Sequence, residues 1–116
     1  PVLIGWGTER TNPTLAGSVA GLGGSVAVSV DGPETERYVT GEVLLDADAM
    51  RGFGSVRGHL DMESVAVHEL AHVLGLGHVP ADSELMSPTY IGIRELGPGD
   101  KAGLARLGQG RCHTDT

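Results

Sequence analysis

The stretch HELAHVLGLGH, residues 68–78, places three of the chain's five histidines within eleven positions, spaced four and then six apart. That spacing constrains the local fold tightly. His68 and His72 stand one helical turn apart, so on a helix their imidazoles project side by side, and Gly75 supplies the residue type that commonly ends a helix. With the helix stopped there, the chain can reverse and bring His78 back to the same point. Three nitrogens converging on one Zn²⁺ leave its fourth tetrahedral position open, which marks a catalytic rather than a structural site. Glu69 follows the first of these histidines, where its carboxylate reaches a water on the metal without binding the metal, the general-base arrangement of the H-E-x-x-H motif. A lone helical histidine is more often a satisfied surface or core residue than a ligand. HExxHxxGxxH fixes five positions, however, and at about one in twenty each, chance gives roughly one match in three million starts.

The helix carrying this motif is expected to begin near Asp61, with Asp61 or Ser64 capping the first turn and acidic Asp61 and Glu63 at the positive end of its dipole. Val67, Leu70, Ala71 and Leu74 recur at i, i+3, i+4 and i+7, forming the apolar stripe expected to face the core. Upstream, VLIGWG (residues 2–7) reads as a short buried strand. Residues 20–30 read as a half-buried strand with Val26, Val28 and Val30 on one side. Residues 37–48 read as a third, favoured by Tyr38, Val39, Thr40 and Val43. Asn12-Pro13 and Asp31-Gly32-Pro33 mark turns, and residues 48–58 read as a loop with three glycines. Nineteen glycines among 116 residues, well above the usual share of roughly 7%, imply many turns and bulges between short elements.

Length and charge narrow the function. A chain of 116 residues suits one domain over residues 1–116, with 109–116 as a tail, and its core must be built mainly from Val, Leu, Ile and Ala because Trp6, Tyr38, Phe53 and Tyr90 are the only aromatics. A net charge of −7 argues against nucleic acid as a partner, since phosphate-backbone binding needs clustered Lys and Arg. The longest apolar runs fall far short of the ~18 residues that span a bilayer, and no signal peptide is visible. The chain opens at Pro1 rather than Met, as expected of a processed or excised chain, so that last absence says nothing about export. Cys112 is the lone cysteine, which excludes a disulfide framework within the chain. No G-x-S-x-G elbow supports a serine hydrolase.

Residues 68–78 resemble the metzincin zinc peptidases, whose extended HExxHxxGxxH motif is followed by a methionine-containing turn. SELMSPTY, with Met86 eight residues past His78, looks like that turn. Within the metzincins the sequence is most similar to the matrixins, the matrix metalloproteinase group, whose turn reads methionine, any residue, proline, any residue, tyrosine, as in Met86-Ser87-Pro88-Thr89-Tyr90. GEVLLDADAM (residues 41–50) resembles the matrixin strand GDAHFD, and GDKAGLARLG (residues 99–108) resembles the terminal DDxNGIxxLYG helix. The resemblance thus runs over residues 41–108 and is thin before that. The glycine-rich version looks more like bacterial secreted matrixin-like peptidases than the animal enzymes.

This resemblance implies an α+β, metzincin-like fold: a small, twisted, mostly parallel sheet with an antiparallel edge strand, an active-site helix and a C-terminal helix. The first strand and first long helix of the family would lie outside the chain. It further implies a secreted, monomeric zinc endopeptidase in which His68, His72 and His78 hold one catalytic Zn²⁺, Glu69 acts as base and Met86 lies beneath the metal. The substrate would be a protein or peptide bound extended along the sheet edge, with Pro88 and Tyr90 walling a selectivity pocket and Ser64 at its base. Pro88 and Tyr90 alone would read equally well as a turn and a core aromatic. Asp46 matches a matrixin calcium position, so Asp46 and Asp48 are candidate Ca²⁺ ligands, against the alternative that two acids after a strand are simply solvated. His59 and His113 read as surface residues, and Asp100 as a cap of the last helix. A second zinc is not expected, because the histidine of GDAHFD is replaced by Leu44 and residues 1–60 contain only His59. The alternative function is a catalytically inactive, zinc-stabilised peptide-binding module on the same fold. Retention of Glu69 favours the enzyme, since a structural zinc site has no use for a base.

Overall fold

The computed structural model describes residues 1–17, 19–30, 32, 36–51, 56–89 and 92–110, of which 56–60 by their backbone alone. Three strands, β1 (Val2–Gly7), β2 (Gly21–Ser29) and β3 (Glu36–Asp46), form one mixed sheet in the order β1-β3-β2. β1 runs parallel to β3, with Val2 beside Gly41 and Gly7 beside Asp46. β2 is the antiparallel edge strand, Gly21 facing Leu45 and Ser29 facing Glu36, with an irregularity between Val26 and Ala27. Between β1 and β2 the chain folds through a 3-10 turn, Pro13–Leu15, started by the Asn12 side chain accepting from the Thr14 N–H and anchored by buried Leu15.

Two helices then follow the sheet. α1 (Ala47–Arg51) leaves β3 directly, because the Asp46 carboxylate accepts from the N–H groups of Asp48 (2.9 Å) and Ala49 (3.4 Å) and so caps a first turn. α2 (Val56–Leu74) starts five residues before the expected position. The loop read over residues 48–58 is therefore helical at both ends, and residues 52–55 lie outside the described ones. Gly58 sits inside α2, although glycine costs a helix about 1 kcal/mol relative to alanine. Asp61 and Ser64 consequently lie within the helix rather than at its cap. Asp61 pairs with Arg94 at 3.5 Å, and Ser64 is buried.

α2 packs on β2 and β3 through a face other than the expected one. Of the stripe Val67, Leu70, Ala71 and Leu74, only Ala71 is buried, while Val67 and Leu74 are 43% and 58% exposed. The sheet-facing residues are Met62, Val65, Glu69 and Val73, with Val65 joining Val43, Leu45 and Met50 in the core. Glycines make this possible. A Cβ at Gly23 would lie 2.2 Å from the Glu69 carbonyl oxygen, and one at Gly41 would lie 2.5 Å from Val73 Cγ1. The helix thus rests on bare strand backbone. A periodicity of apolar residues misses a buried face that carries a glutamate.

β1 occupies its expected position but is not buried, with Ile4 61% and Trp6 60% exposed, because α2 lies over β2 and β3 instead. Val26 and Val28, expected on a half-buried side, are also exposed, in the part of β2 paired with the start of β3. The C-terminal helix α3 (Pro98–Arg106) begins with proline at its first position, where the missing N–H costs nothing. It seats against the segment after α2, since a Cβ at Gly103 would meet Leu76 Cδ1 at 2.4 Å.

Candidate active site

α2 delivers His68 and His72 on one side and ends at Gly75, whose φ of +105° only glycine adopts readily. The Gly75 N–H donates to the His72 carbonyl (3.0 Å) and the Leu76 N–H to the Ala71 carbonyl (2.9 Å), the paired bonds of a Schellman ending. This reversal returns His78 to the other two histidines. Their ring centroids are 4.9 Å (His68 and His72), 5.3 Å (His68 and His78) and 4.8 Å (His72 and His78) apart. One ligand nitrogen from each ring lies within 4.8 Å of the others, and the Nε2 atoms of His72 and His78 are 3.2 Å apart. Two Zn–N bonds of ~2.0–2.1 Å at a tetrahedral angle separate their nitrogens by about 3.3 Å. The donor set fits zinc.

Backbone carbonyls orient two of these rings. His68 Nδ1 lies 2.8 Å from the Leu85 carbonyl and His72 Nδ1 lies 2.7 Å from the Leu76 carbonyl. A carbonyl only accepts, so Nδ1 carries the proton on both rings and Nε2 keeps its lone pair for a metal. Burial holds the His78 imidazole below its ordinary pKa, with the charges of His72 and His68 acting in the same direction.

Glu69 is buried between α2 and β2. A Cβ at Gly21 would lie 3.0 Å from its Cγ and 3.3 Å from Oε1, so the carboxylate occupies the space that a larger residue at position 21 would need. Desolvation raises its pKa above the ordinary carboxyl value, and nearby His72 opposes the shift. A cleft of about 310 Å³ opens over this group, lined by residues 19–23, Val65, the three histidines, Glu69, Ser87 and Pro88.

Residues 4–107 match the family model for Matrixin. The chain belongs to the matrixin family. It is 38% identical over 87 residues to matrix metalloproteinase-19 from Homo sapiens, covering 72% of this chain and 16% of that protein. It is likewise 38% identical over 87 residues to matrix metalloproteinase-25 from Homo sapiens, covering 74% of this chain and 15% of the relative. Metalloendoproteinase 2-MMP from Arabidopsis thaliana is 44% identical over 57 residues, 43% of this chain and 15% of that protein. The matrixin segment thus spans about one-sixth of the length of the curated relatives it matches. No solved structure matches it significantly.

In this matrixin the turn after His78 is closed by its own backbone: Val79 N–H donates to the Met86 carbonyl (2.8 Å) and Ser87 N–H to the Glu84 carbonyl (3.2 Å). Met86 is fully buried. Of the residues expected at a selectivity pocket, Pro88 lines the cleft. Ser64, one helical turn before His68, is buried and borders a hollow with Glu63, Ala66, Val67 and Arg94. Tyr90, His113 and Cys112 lie outside the described residues, as does the His59 side chain. Asp46 spends its carboxylate capping α1, and Asp48 pairs with Arg51 at 3.0 Å, so the two acids face different partners. Among the described residues the three histidines are the group that could hold a metal ion, and no helix is long and apolar enough to cross a membrane.

One buried acid beside the site was not singled out from the sequence. Glu84 accepts from the N–H groups of Gly99 and Asp100, each at 2.9 Å, and Asp100 accepts from those of Leu85 (2.7 Å), Met86 (3.1 Å) and Gly97 (2.8 Å). Asp100 therefore caps the last helix, as expected, and also ties it to the methionine turn. The signal available in the sequence was Gly97-Pro98-Gly99-Asp100, a helix start with two glycines where a bulky neighbour must fit.

Proposed function

We propose that the chain is the catalytic domain of a secreted zinc endopeptidase that cleaves peptide bonds in extended protein segments. One observation carries this reading: a buried carboxylate, Glu69, directly beside three converging imidazole donors in an open cleft. A site that held zinc for folding alone would gain nothing from desolvating a base there. His68, His72 and His78 would hold one zinc, which supplies Lewis acidity to polarise the scissile carbonyl and acidify water near neutral pH.

The protein's own residues do the rest. Glu69 accepts the proton of the attacking water and returns it to the departing amine, and its raised pKa suits it to both transfers. Nδ1 bonds to Leu85 and Leu76 hold the His68 and His72 rings in one orientation through the cycle. Among the described residues β2 pairs with β3 along one side only, leaving its other edge for a substrate strand, and residues 19–23 border the cleft. Main-chain hydrogen bonds to that edge supply affinity with little regard to side chains, and the wall containing Pro88 supplies selectivity. Buried Met86 underlies the site in this reading, and the domain works as a monomer.

The test is Glu69→Ala. The substitution removes the base and leaves all three nitrogen donors, so the variant is expected to bind zinc like the unaltered chain while hydrolysis of a peptide substrate falls by at least about 10²-fold, the low end of general-base contributions. Substantial hydrolysis by zinc-loaded Glu69→Ala protein would sink the mechanism.

A further inference from the structure

We propose that Glu84 is a positioning residue for the metal site, acting through Asp100 and the Leu85 peptide on His68. The inference rests on the three-histidine zinc reading above. The linkage starts at the first turn of α3, where Gly97 caps, Pro98 has no N–H, and the N–H groups of Gly99 and Asp100 lack partners within the helix. Both donate to the buried Glu84 carboxylate at 2.9 Å. This fixes the helix start against the turn that precedes Met86, and with it the fully buried Asp100. The Asp100 carboxylate reaches back to Leu85 N–H at 2.7 Å and Met86 N–H at 3.1 Å. The same Leu85 residue then offers its carbonyl to His68 Nδ1 at 2.8 Å. Leu85 is thereby held by Asp100 at its amide and reads out to a zinc ligand at its carbonyl.

Two features make this a built arrangement rather than an incidental contact. First, the two carboxylates divide five backbone N–H groups between them, and neither forms an ion pair among the described residues. Amides are directional donors, so the positions of both acids are set closely. Second, the sequence clears space for Glu84. A Cβ at Gly97 would lie 2.3 Å from Glu84 Oε2 and 2.7 Å from the Ser83 carbonyl, although Gly97 has an ordinary φ of −81° that any residue adopts. Gly97 is therefore glycine for room. A Cβ at Gly99 would also crowd the carboxyl group, at 3.1 Å. Outer partners of metal-ligating histidines typically change metal affinity by about 10–100-fold when removed. Glu84 acts at one further remove, which places its expected effect near the lower end.

The experiment uses the full chain and the variants Glu84→Gln and Gly97→Ala, with Asp100→Asn measured alone and combined with Glu84→Gln for the coupling. Glutamine replaces one acceptor oxygen with an NH₂ group facing a backbone N–H, whereas alanine displaces the carboxylate without removing it. Zinc affinity is measured by competition with a chelator, and kcat and KM are measured on a peptide with zinc saturating. Both variants are expected to bind zinc about tenfold more weakly and to show lower kcat with KM little changed, because ligand orientation is altered and the substrate edge is not. The double variant Glu84→Gln with Asp100→Asn should cost little more than the larger single change, as expected of one connected unit. Folded variants with unaltered zinc affinity and kcat, and only a lower melting temperature, would overturn the proposal by reducing Glu84 to a stabilising tie. Loss of the fold in both variants would overturn it equally. An unaltered chain that binds no zinc would remove the zinc reading itself, an outcome distinct from unaltered binding in the variants.

Discussion

Glu69 is asked to be both buried and ionised, and the pH dependence of the rate should record that tension. Its carboxyl pKa is raised above the ordinary 4.5 by desolvation, so on acidification it takes up its proton, and stops serving as a base, at a higher pH than an exposed glutamate would. His78 moves the other way. Its pKa lies below the ordinary 6.5, so on acidification this imidazole takes up its proton at a lower pH than a free one. The rate of hydrolysis should accordingly fall on the acid side with a midpoint above pH 4.5. A pH profile of kcat/KM checks this, and a rate that stays flat down to pH 4.5 contradicts it. At this scale the sequence was most legible where the chemistry is local. Three histidines within eleven residues can be read without a fold, whereas the partners of Glu84 lie fifteen and sixteen positions downstream and share no spacing rule with it.

The elements that carry these residues depend on glycine at two points with different physics. At Gly23 the backbone geometry is that of a strand, and the constraint is the 2.2 Å approach of a hypothetical Cβ to the Glu69 carbonyl oxygen. Gly23→Ala must push α2 off the sheet, at a cost of about 1–3 kcal/mol, and should lower kcat as well because the displaced segment bears the base. At Gly75 the constraint is the φ of +105° together with Tyr38, whose hydroxyl oxygen would lie 2.4 Å from a Cβ. Gly75→Ala should destabilise the fold by more than about 1 kcal/mol and weaken zinc binding, since the reversal that returns His78 is lost. Thermal melts with and without zinc check both, and an unchanged melting temperature for either variant contradicts the packing described. The same contacts explain why element types and order were legible while faces were not. The stripe of Val67, Leu70 and Leu74 carried the stronger hydrophobic signal, but bare backbone at Gly21, Gly23 and Gly41 drew the Glu69 and Val73 face onto the sheet. Likewise residues 56–58, the end of the loop read from glycine content, are helical.

At the scale of the whole molecule, the described side chains that could hold a metal ion gather at one place. Leu44 stands in β3 where the family strand carries a histidine, and its side chain packs against Gly7, with all three nearest atoms 3.1–3.2 Å from where a Cβ would be. An apolar contact occupies that position. The chain should therefore bind one zinc ion, and elemental analysis of dialysed protein decides it: a stoichiometry near two, with the second ion surviving His68→Ala and His72→Ala, would contradict the account. Whether this matrixin chain cuts peptide bonds with zinc held at His68, His72 and His78 is decided by one digestion. A denatured protein mixture is incubated with the zinc-loaded chain, with the chain stripped by a chelator, and with the stripped chain after zinc is restored, and new termini are read by mass spectrometry. The expected result is internal cleavages that vanish on stripping and return with zinc. Absence of new termini with the zinc-loaded chain, or cleavage that persists unchanged after stripping, would contradict it.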